Sequence, residues 1–496
     1  MKKLLTYLLL FPFLLNAQHE KDIKALDSYV QQGMNDWKVP GLSIAVVKDG
    51  KQLFSKGYGV LDVESQTKVT SDSRFMIGST TKAMTATALA ILVDEGKINW
   101  NDKVIDHYPK FQLFDAYATR DVTIIDLLTH RAGLGNADFL WSLNDISSEE
   151  IVERLKLLEP AYSLRAGYTY QNIMYLVAGF VIEKVSSQPW ASFVNDRIFE
   201  PLEMTRTRAL YADLENEDGY VKPHHLIDGK ATITNMLTAD KVAPAGSVWS
   251  TSDDMTNWML MLLDSGNFKG KRIVSKERIA DLWKTYTIIP KDQFYPTTQI
   301  TKPNWTTYGL GFFQHDYQGY QLQFHTGSLP GLTAIIGLVP ERDFGVYVFG
   351  NLDHAELRHA LMYKAIDLFL GFGETDWNKE FLDLYGGIQS ANEKRQEESF
   401  QGRNMDTSPS LELSEYVGVY SDPLYGKVEV SMKDGVLNVK FNSLFSASLS
   451  HWHYDTFKGD WNQPYSTPNL FTFTLNDQGQ TATFSFNGIT YRRDKD

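Results

Sequence analysis

The sequence predicts an α/β (α+β) domain, an antiparallel sheet flanked by helices with a helical lobe beside it, followed by a small all-β, barrel-like domain. Three observations carry this reading. Strand patterns lie near both ends of the first 370 residues with a long helical middle between them, so one sheet is built from both ends. A polar, charged stretch nearly free of apolar residues runs from Asn392 to Ser410. Beyond it come only short strand-like runs separated by hairpin turns.

Each element follows from local patterning. Ile23, Leu26, Val30, Met34 and Trp37 recur at helical spacing from His19 to Trp37, and Pro40 ends the helix. Gly41 to Val47 reads as a buried strand, Asp49-Gly50 as a hairpin turn, and Gln52 to Tyr58 as the partner strand. From Ala83 to Val93 the chain is apolar nearly all round, which predicts a helix buried on every side and stopped by Gly96. Thr123 and Asp126 form a capping box opening a short helix. Ile173, Leu176, Val177, Phe180 and Val181 share one helical face, and Ser247 to Leu263 reads as a further helix. Tyr308 to Phe313, Tyr320 to His325, Leu332 to Val339 and Phe344 to Phe349 form a meander, closed by a helix from Glu356 to Leu370. After the polar stretch six strand-like runs follow between Tyr416 and Arg492, with turns at Asp434-Gly435 and Asn487-Gly488.

The N-terminus carries Lys2-Lys3, an apolar run from Leu4 to Leu15, and a small residue at Ala17. This pattern predicts a signal peptide cleaved near Ala17-Gln18 and hence an exported, periplasmic or secreted protein. The run is too short to span a membrane. The expected division is a leader over 1–17, a first domain over 18–390, a linker over 391–410 and an all-β domain over 411–496. The absence of Cys excludes disulfides, Cys-based metal sites and a lipid anchor on an N-terminal Cys. A net charge of −13 argues against nucleic acid or an anionic membrane as partner.

The chemistry centres on Ser79-x-x-Lys82 at the start of the buried helix. Positions i and i+3 share a face, so Lys82 lies beside Ser79 at the positive end of the helix dipole. There a neutral Lys is favoured, and a neutral Lys is a base that activates a Ser. Taken alone, the same pattern also describes a Ser cap with a snorkelling Lys. Two further motifs follow in order, Tyr170-x-Asn172 and His325-Thr326-Gly327. Taken singly, Tyr170 reads as a core aromatic, Asn172 as a helix cap and His325 as a strand-end His. His130 reads as a loop-holding residue; for Trp141, Trp249 and Trp305 pocket lining and core packing are both open, with core packing favoured for each.

Together these motifs resemble the serine β-lactamase and D,D-peptidase superfamily, in the Tyr-x-Asn branch of class C β-lactamases, D-aminopeptidases and related esterases. Leu127-Leu128-Thr129-His130-Arg131-Ala132-Gly133-Leu134 is similar to a stretch common in that branch, with Arg131 and Ala132 as departures. Pro244 to Thr251 is similar to another, and Gly331 after His325-Thr326-Gly327 completes the last motif. The resemblance spans about residues 20 to 370 and implies a β-lactamase/transpeptidase-like fold. It implies Ser79 as acylated nucleophile, Lys82 and Tyr170 sharing general-base and general-acid duty, and Tyr170 acting as a phenolate beside the Lys ammonium. It further implies Asn172 orienting Lys82 and the substrate amide, and an oxyanion hole from the backbone N–H groups of Ser79 and Ser328. His325, Thr326, Gly327 and Ser328 would meet the substrate, and neither cofactor nor metal is implied. His325 stands where many penicillin-recognising members have Lys, and a neutral His holds a carboxylate less firmly. The function expected is therefore hydrolysis of amide or ester bonds of a small-molecule or peptide substrate, of D,D-peptidase, D-aminopeptidase or esterase type. A class C-like β-lactamase and a catalytically silent penicillin-binding-like protein are the alternatives. The all-β domain resembles a lipocalin-like module appended to some relatives.

Overall fold

The computed structural model describes residues 2–214 and 216–495; the side chains of residues 2–18 and 399 lie outside that description. The expected leader over 1–17 falls on them. Chain contacts form two compact units. The first comprises the chain up to Pro109, Arg120–Gly133 and Ser163–Gly386; the second comprises Lys110–Thr119, Leu134–Tyr162 and the chain from Gly387 onward.

The first unit opens with helix α1 (Lys2–Trp37) and the hairpin β1 (Gly41–Lys48) and β2 (Lys51–Gly59). Asp49 and Gly50 both have positive φ, 51° and 71°, as a two-residue hairpin turn demands. The middle includes helices α2 (Thr81–Asp94), α3 (Ile124–Leu128), α4 (Ile173–Ser186), α5 (Ala243–Gly246) and α6 (Ser252–Leu263), which position the site. Strands β3 (Thr287–Ile288), β4 (Thr306–Tyr308), β5 (Phe313–Tyr317), β6 (Tyr320–Leu329), β7 (Leu332–Val339) and β8 (Phe344–Gly350) lead to α7 (Leu357–Leu370). The sheet order is β2-β1-β8-β7-β6-β5-β4-β3, antiparallel throughout. The N-terminal hairpin thus docks on the last strand of the meander, with Leu42 opposite Gly350.

Burial on β1 alternates between two partners. Leu42, Ile44 and Val46 join a core with α1 and α7, including Leu26, Val30 and Leu361. The intervening Ser43 turns to α6, where its Oγ meets Ser252 Oγ at 2.8 Å. The period-2 rule thus places apolar residues on the α1/α7 face and a hydrogen-bonded Ser on the other. α2 is buried along all but its last turn, in keeping with its unpatterned apolar sequence.

Two expected elements are divided. The strand expected over Tyr308 to Phe313 is broken by a turn closed by Gly309 N donating to Phe312 O at 2.8 Å. Gly311 has φ 84°, and a Cβ there would lie 2.8 Å from the backbone of Ala83. The helix expected from Ser247 begins only at Ser252, because Thr251 caps it by accepting the Asp254 amide at 3.0 Å.

In the second unit eight strands close a barrel in sequence order: β9 (Gly418–Asp422), β10 (Gly426–Lys433), β11 (Val436–Lys440), β12 (Ser446–His453), β13 (Thr456–Trp461), β14 (Asn469–Leu475), β15 (Thr481–Phe486) and β16 (Ile489–Arg493). β9 returns to pair with β16. Two more strands are present than expected, β12 and β13, whose inward residues include Ala447, Leu449, Phe457 and Gly459. The interior is filled by aromatic rings, among them Tyr416, Tyr420, Phe457, Phe471, Phe473 and Phe484. The segment expected as a linker is helical to Gln401, as the end of α8 (Trp377–Gln401). From there Arg403 donates to Trp452 O and His451 O, and Ser410 bonds Asp455, strapping the segment to the barrel. A solvated helix has the same polar composition as a linker, so composition alone does not separate them.

Candidate active site

Ser79 lies in a 3₁₀ turn, Gly78–Thr80, that feeds directly into α2. Gly78 has φ 53°, and a Cβ there would sit 2.8 Å from Gly327 Cα and Ser328 N. Gly327 reciprocates: a Cβ on it would come 1.9 Å from Ile77 O. The turn and β6 therefore run backbone against backbone, which brings the Ser328 amide beside the turn that carries Ser79.

Lys82 is fully buried. Its Nζ lies 3.0 Å from Ser79 Oγ, 2.7 Å from Asn172 Oδ1 and 2.9 Å from Ala245 O. The amide oxygen and the carbonyl are acceptors only, so two Lys protons are committed to them. The third tetrahedral position faces Ser79. There a neutral amine presents a lone pair to the hydroxyl, and an ammonium presents a proton. Asn172 enters from the start of α4 and Ala245 from α5, so three separate segments clamp one amine.

The Tyr170 ring lies 4.8 Å below Lys82 Nζ, and its phenol hydrogen-bonds Ser79. Burial pushes that phenol well above its ordinary value, and the Ser79 bond offsets only part of this. The resting group is therefore a phenol, not the phenolate expected from the resemblance. The reason is the wall around it: His130 at 4.3 Å between ring centres, Phe313 stacked at 6.2 Å, and His325 at 6.1 Å. Aromatic rings do not solvate a phenolate as water does.

His130 holds this loop. Its Nδ1 accepts the Gln171 amide at 3.0 Å, and its carbonyl accepts the Thr169 amide at 3.0 Å. Its φ is 59°, and burial and the nearby Lys82 keep the ring neutral. The adjacent Arg131, a departure from the common stretch, has a partner to match. With Arg165 it clamps the buried Asp126, at 2.8 and 2.6 Å. The Arg165 amide also donates to Arg131 O at 2.8 Å. Both loop attachments hold the segment leading to Tyr170.

His325 is buried, with both nitrogens engaged. Nδ1 faces Thr326 O at 2.7 Å, a pure acceptor, and so carries the proton; Nε2 then accepts the Tyr308 hydroxyl at 2.9 Å. Burial first, then Lys82, lower it to about 3. It is a neutral, internally satisfied ring and offers no cation or free donor to a substrate carboxylate. Thr326 Oγ1 meets Tyr295 Oη at 2.6 Å. Ser328, exposed on its strand, takes a hydrogen bond on Oγ from Arg358 at 2.7 Å. Trp249 is core, as expected, whereas Trp305 lines a cavity of about 660 Å³ with Ile289 and Pro290. Among the described residues no group of three His, Asp or Glu side chains is placed to hold a metal ion.

The structure therefore gathers Ser79, Lys82, Tyr170 and Asn172, and sets the backbone of Gly327 and Ser328 against them. The patterns did not point to Ala245 O, Tyr308 or Arg358. Ala245 lies in the segment already likened to the family, but Arg358 lies 30 residues beyond Ser328 with no local signal.

A Ser–Lys–Tyr cluster on an antiparallel sheet with a helical lobe points to a class, and sequence comparison shows the family. The chain belongs to the Beta-lactamase family, whose model matches residues 26–370. Residues 403–494 match a family described as a domain of unknown function, DUF3471. The chain is 28% identical over 422 residues to the unguisins hydrolase ungD' of Aspergillus campestris, covering 81% of this chain and 76% of the relative. It is 24% identical to the protein flp of Staphylococcus aureus strain N315, covering 66% and 63%. Among solved structures it is similar to an octameric penicillin-binding protein homologue from Pyrococcus abyssi, with TM-score 0.64 and 23% identity over 95% of this chain and 99% of that one. It is also similar to SurE, with TM-score 0.57 and 18% identity over 96% and 99%. The fold expected for the first domain and the appended β-domain are both present. Among the described residues no helix is long and apolar enough to cross a membrane.

Proposed function

We propose that the protein is an exported serine hydrolase that cleaves amide or ester bonds through an acyl-Ser79 intermediate. The observation that carries this is the clamp on Lys82, whose Nζ lies 3.0 Å from Ser79 Oγ while also donating to Asn172 Oδ1 and Ala245 O. In this reading Lys82 takes the Ser79 proton as Oγ attacks the carbonyl carbon. The oxyanion is held by the N–H groups of Ser79 and Ser328. The buried phenol of Tyr170 gives its proton to the leaving amine or alkoxide as the C–N or C–O bond breaks, and recovers one from the Lys82 ammonium. Water then attacks the ester carbonyl and gives a proton to the Lys82–Tyr170 pair, which passes one to Ser79 Oγ as the acyl C–O bond breaks and the acid is released. A D-amino acid amide or a short ester is the substrate class favoured, since neither brings the carboxylate of a β-lactam or a free-ended peptide, which the neutral, satisfied His325 lacks the charge to hold. That one relative is named a hydrolase of unguisins supports hydrolysis rather than silent binding.

The test is mass spectrometry of the protein after exposure to D-amino acid amides, D-alanyl peptides, acyl esters and β-lactams. Acyl adducts located on Ser79, formed and lost fastest with amides or esters, are expected. Adducts on another residue, or none, overturn the reading. N-terminal sequencing of protein recovered outside the cytoplasm tests export: a mature chain starting near Gln18 is expected, and an intact Met1 there overturns it.

A further inference from the structure

Behind β6 lies a charge that the reaction scheme above does not use. Arg358, in the first turn of α7, is 4% exposed. One of its nitrogens donates to Gly327 O at 2.6 Å and to Ser328 Oγ at 2.7 Å. The rest of the guanidinium is locked by a two-point contact with Glu356, at 3.1 and 2.9 Å. Glu356 is itself fixed by His359 Nδ1 at 2.7 Å. A planar fork held this way turns its remaining nitrogen toward the sheet, where the Gly327 carbonyl is its shortest contact and Ala334 O, at 3.4 Å, its longest.

Gly327 C=O and Ser328 N–H are the two ends of one peptide unit. A cationic donor on the oxygen draws electron density through the amide and makes its N–H a stronger donor. We propose that Arg358 is a positioning residue that polarises and orients the Gly327–Ser328 peptide, so that Ser328 N–H stabilises the oxyanion more strongly than an ordinary backbone amide does. This rests on the assignment of Ser328 N–H to the oxyanion hole. Arg358 touches no reacting atom in this scheme. Its effect arrives through the peptide and is felt where negative charge develops, not where substrate first binds.

Removing Arg358 alone would strand a buried carboxylate, so three variants are compared: Arg358→Lys, Arg358→Met, and the double change Glu356→Gln with Arg358→Met, which removes both charges together. Melting temperature and circular dichroism select those that fold. The probe is a nitrophenyl ester with a ¹³C-labelled carbonyl, followed by burst kinetics and by difference infrared spectroscopy of the Ser79 ester. The expected result for the double variant is about a tenfold loss in acylation rate, a fraction of the 10²–10³ that removing an oxyanion donor costs, with KM within about twofold. The ester carbonyl band should move to higher frequency, toward that of an unbonded ester, and Arg358→Lys should recover part of both effects. A folded double variant with wild-type rate overturns the proposal. So does a lost rate with an unmoved band, which would make Arg358 a structural support only. If the wild-type protein forms no ester on Ser79, the underlying reading of the site fails, and the proposal falls with it.

Discussion

Ser79 Oγ, Asn172 Oδ1 and Ala245 O all stand within hydrogen-bond reach of Lys82 Nζ, so its proton inventory decides what it does. Lys82→Arg is expected to be as damaging as Lys82→Ala, each losing about 10²–10⁴ in kcat/KM, because a guanidinium keeps its proton. Burst kinetics with a nitrophenyl ester measures this, and an Arg variant near wild-type rate would show that positive charge suffices. Ser79→Ala should leave below about one per cent of turnover with an unchanged melting temperature, since the loss is chemical and Ala suits the helix start. Tyr170→Phe keeps the ring among His130 and Phe313 but removes the proton donor. The acyl-enzyme should then persist at least about tenfold longer, as read by the decay of the Ser79 adduct mass; an unchanged lifetime would reduce Tyr170 to packing. A cephalosporin should turn over with kcat/KM well below about 10⁵ M⁻¹s⁻¹, because His325 is neutral and both its nitrogens are taken.

At the scale of elements, the site depends on how closely β6 approaches the turn before α2. Gly327→Ala places a methyl where Ile77 O already stands, so strand and turn must part. The expected outcome is a folded protein that loses about 10² or more in kcat, with a smaller change in KM. Activity retained at half of wild type would show that the Ser328 amide is not part of the chemistry. The loop bearing Tyr170 is anchored through Asp126, a fully buried carboxylate whose charge is favoured by Arg165 and by the Thr123 amide and hydroxyl. Asp126→Ala frees two guanidiniums that are partly exposed and can hydrate. The loss should therefore be roughly 1–3 kcal/mol rather than the full cost of stranding buried charges. Chemical denaturation measures it, and kcat should fall with it because the Tyr170 loop loosens.

For the whole molecule, buried histidines set a stability trend with pH. His325 and His315 are lowered by burial to about 3 and about 4 from an ordinary 6.5. Between 6.5 and those values the unfolded chain binds protons that the folded one does not. Stability is therefore present above pH 6.5 and is lost as pH falls toward 3. Asp254 and Asp367, raised by burial, work the other way in the carboxylate range, so the trend is cleanest from pH 6.5 to 5. Thermal melts across that interval should show a falling midpoint, and His315→Gln should flatten it. Proteolysis tests the expected domain division. The segment from Arg403 to Ser410 is tied to the barrel, so the first cut should fall in the exposed helical stretch 391–401 rather than after Arg403. Mass analysis of the fragments decides, and a first cut between 403 and 410 would show that those ties do not hold.

Much of this protein is legible in its sequence because it is written in local periodicity. The all-round apolar run after Ser79 could only be a buried helix, Asp49-Gly50 could only turn, and an i, i+3 spacing puts Lys82 beside Ser79 whatever surrounds them. The failures have an equally physical origin. β12 and β13 carry their few apolar residues, Leu449 and Phe457 among them, between Ser, His, Lys, Gly and Asp, a pattern too diluted to read as a strand before the barrel closes on it. Asn392 to Gln401 is polar because it is solvated, which a helix and a linker share. The charge states were settled only in three dimensions. Tyr170 is a phenol and His325 a neutral ring because residues distant in the chain, Phe313 and Tyr308 among them, exclude water from both. Arg358 meets Gly327 across 31 residues of sequence. Sequence spacing determined which groups can react; only tertiary packing, which sets desolvation and long-range hydrogen bonds, decided which protons they hold and where they point.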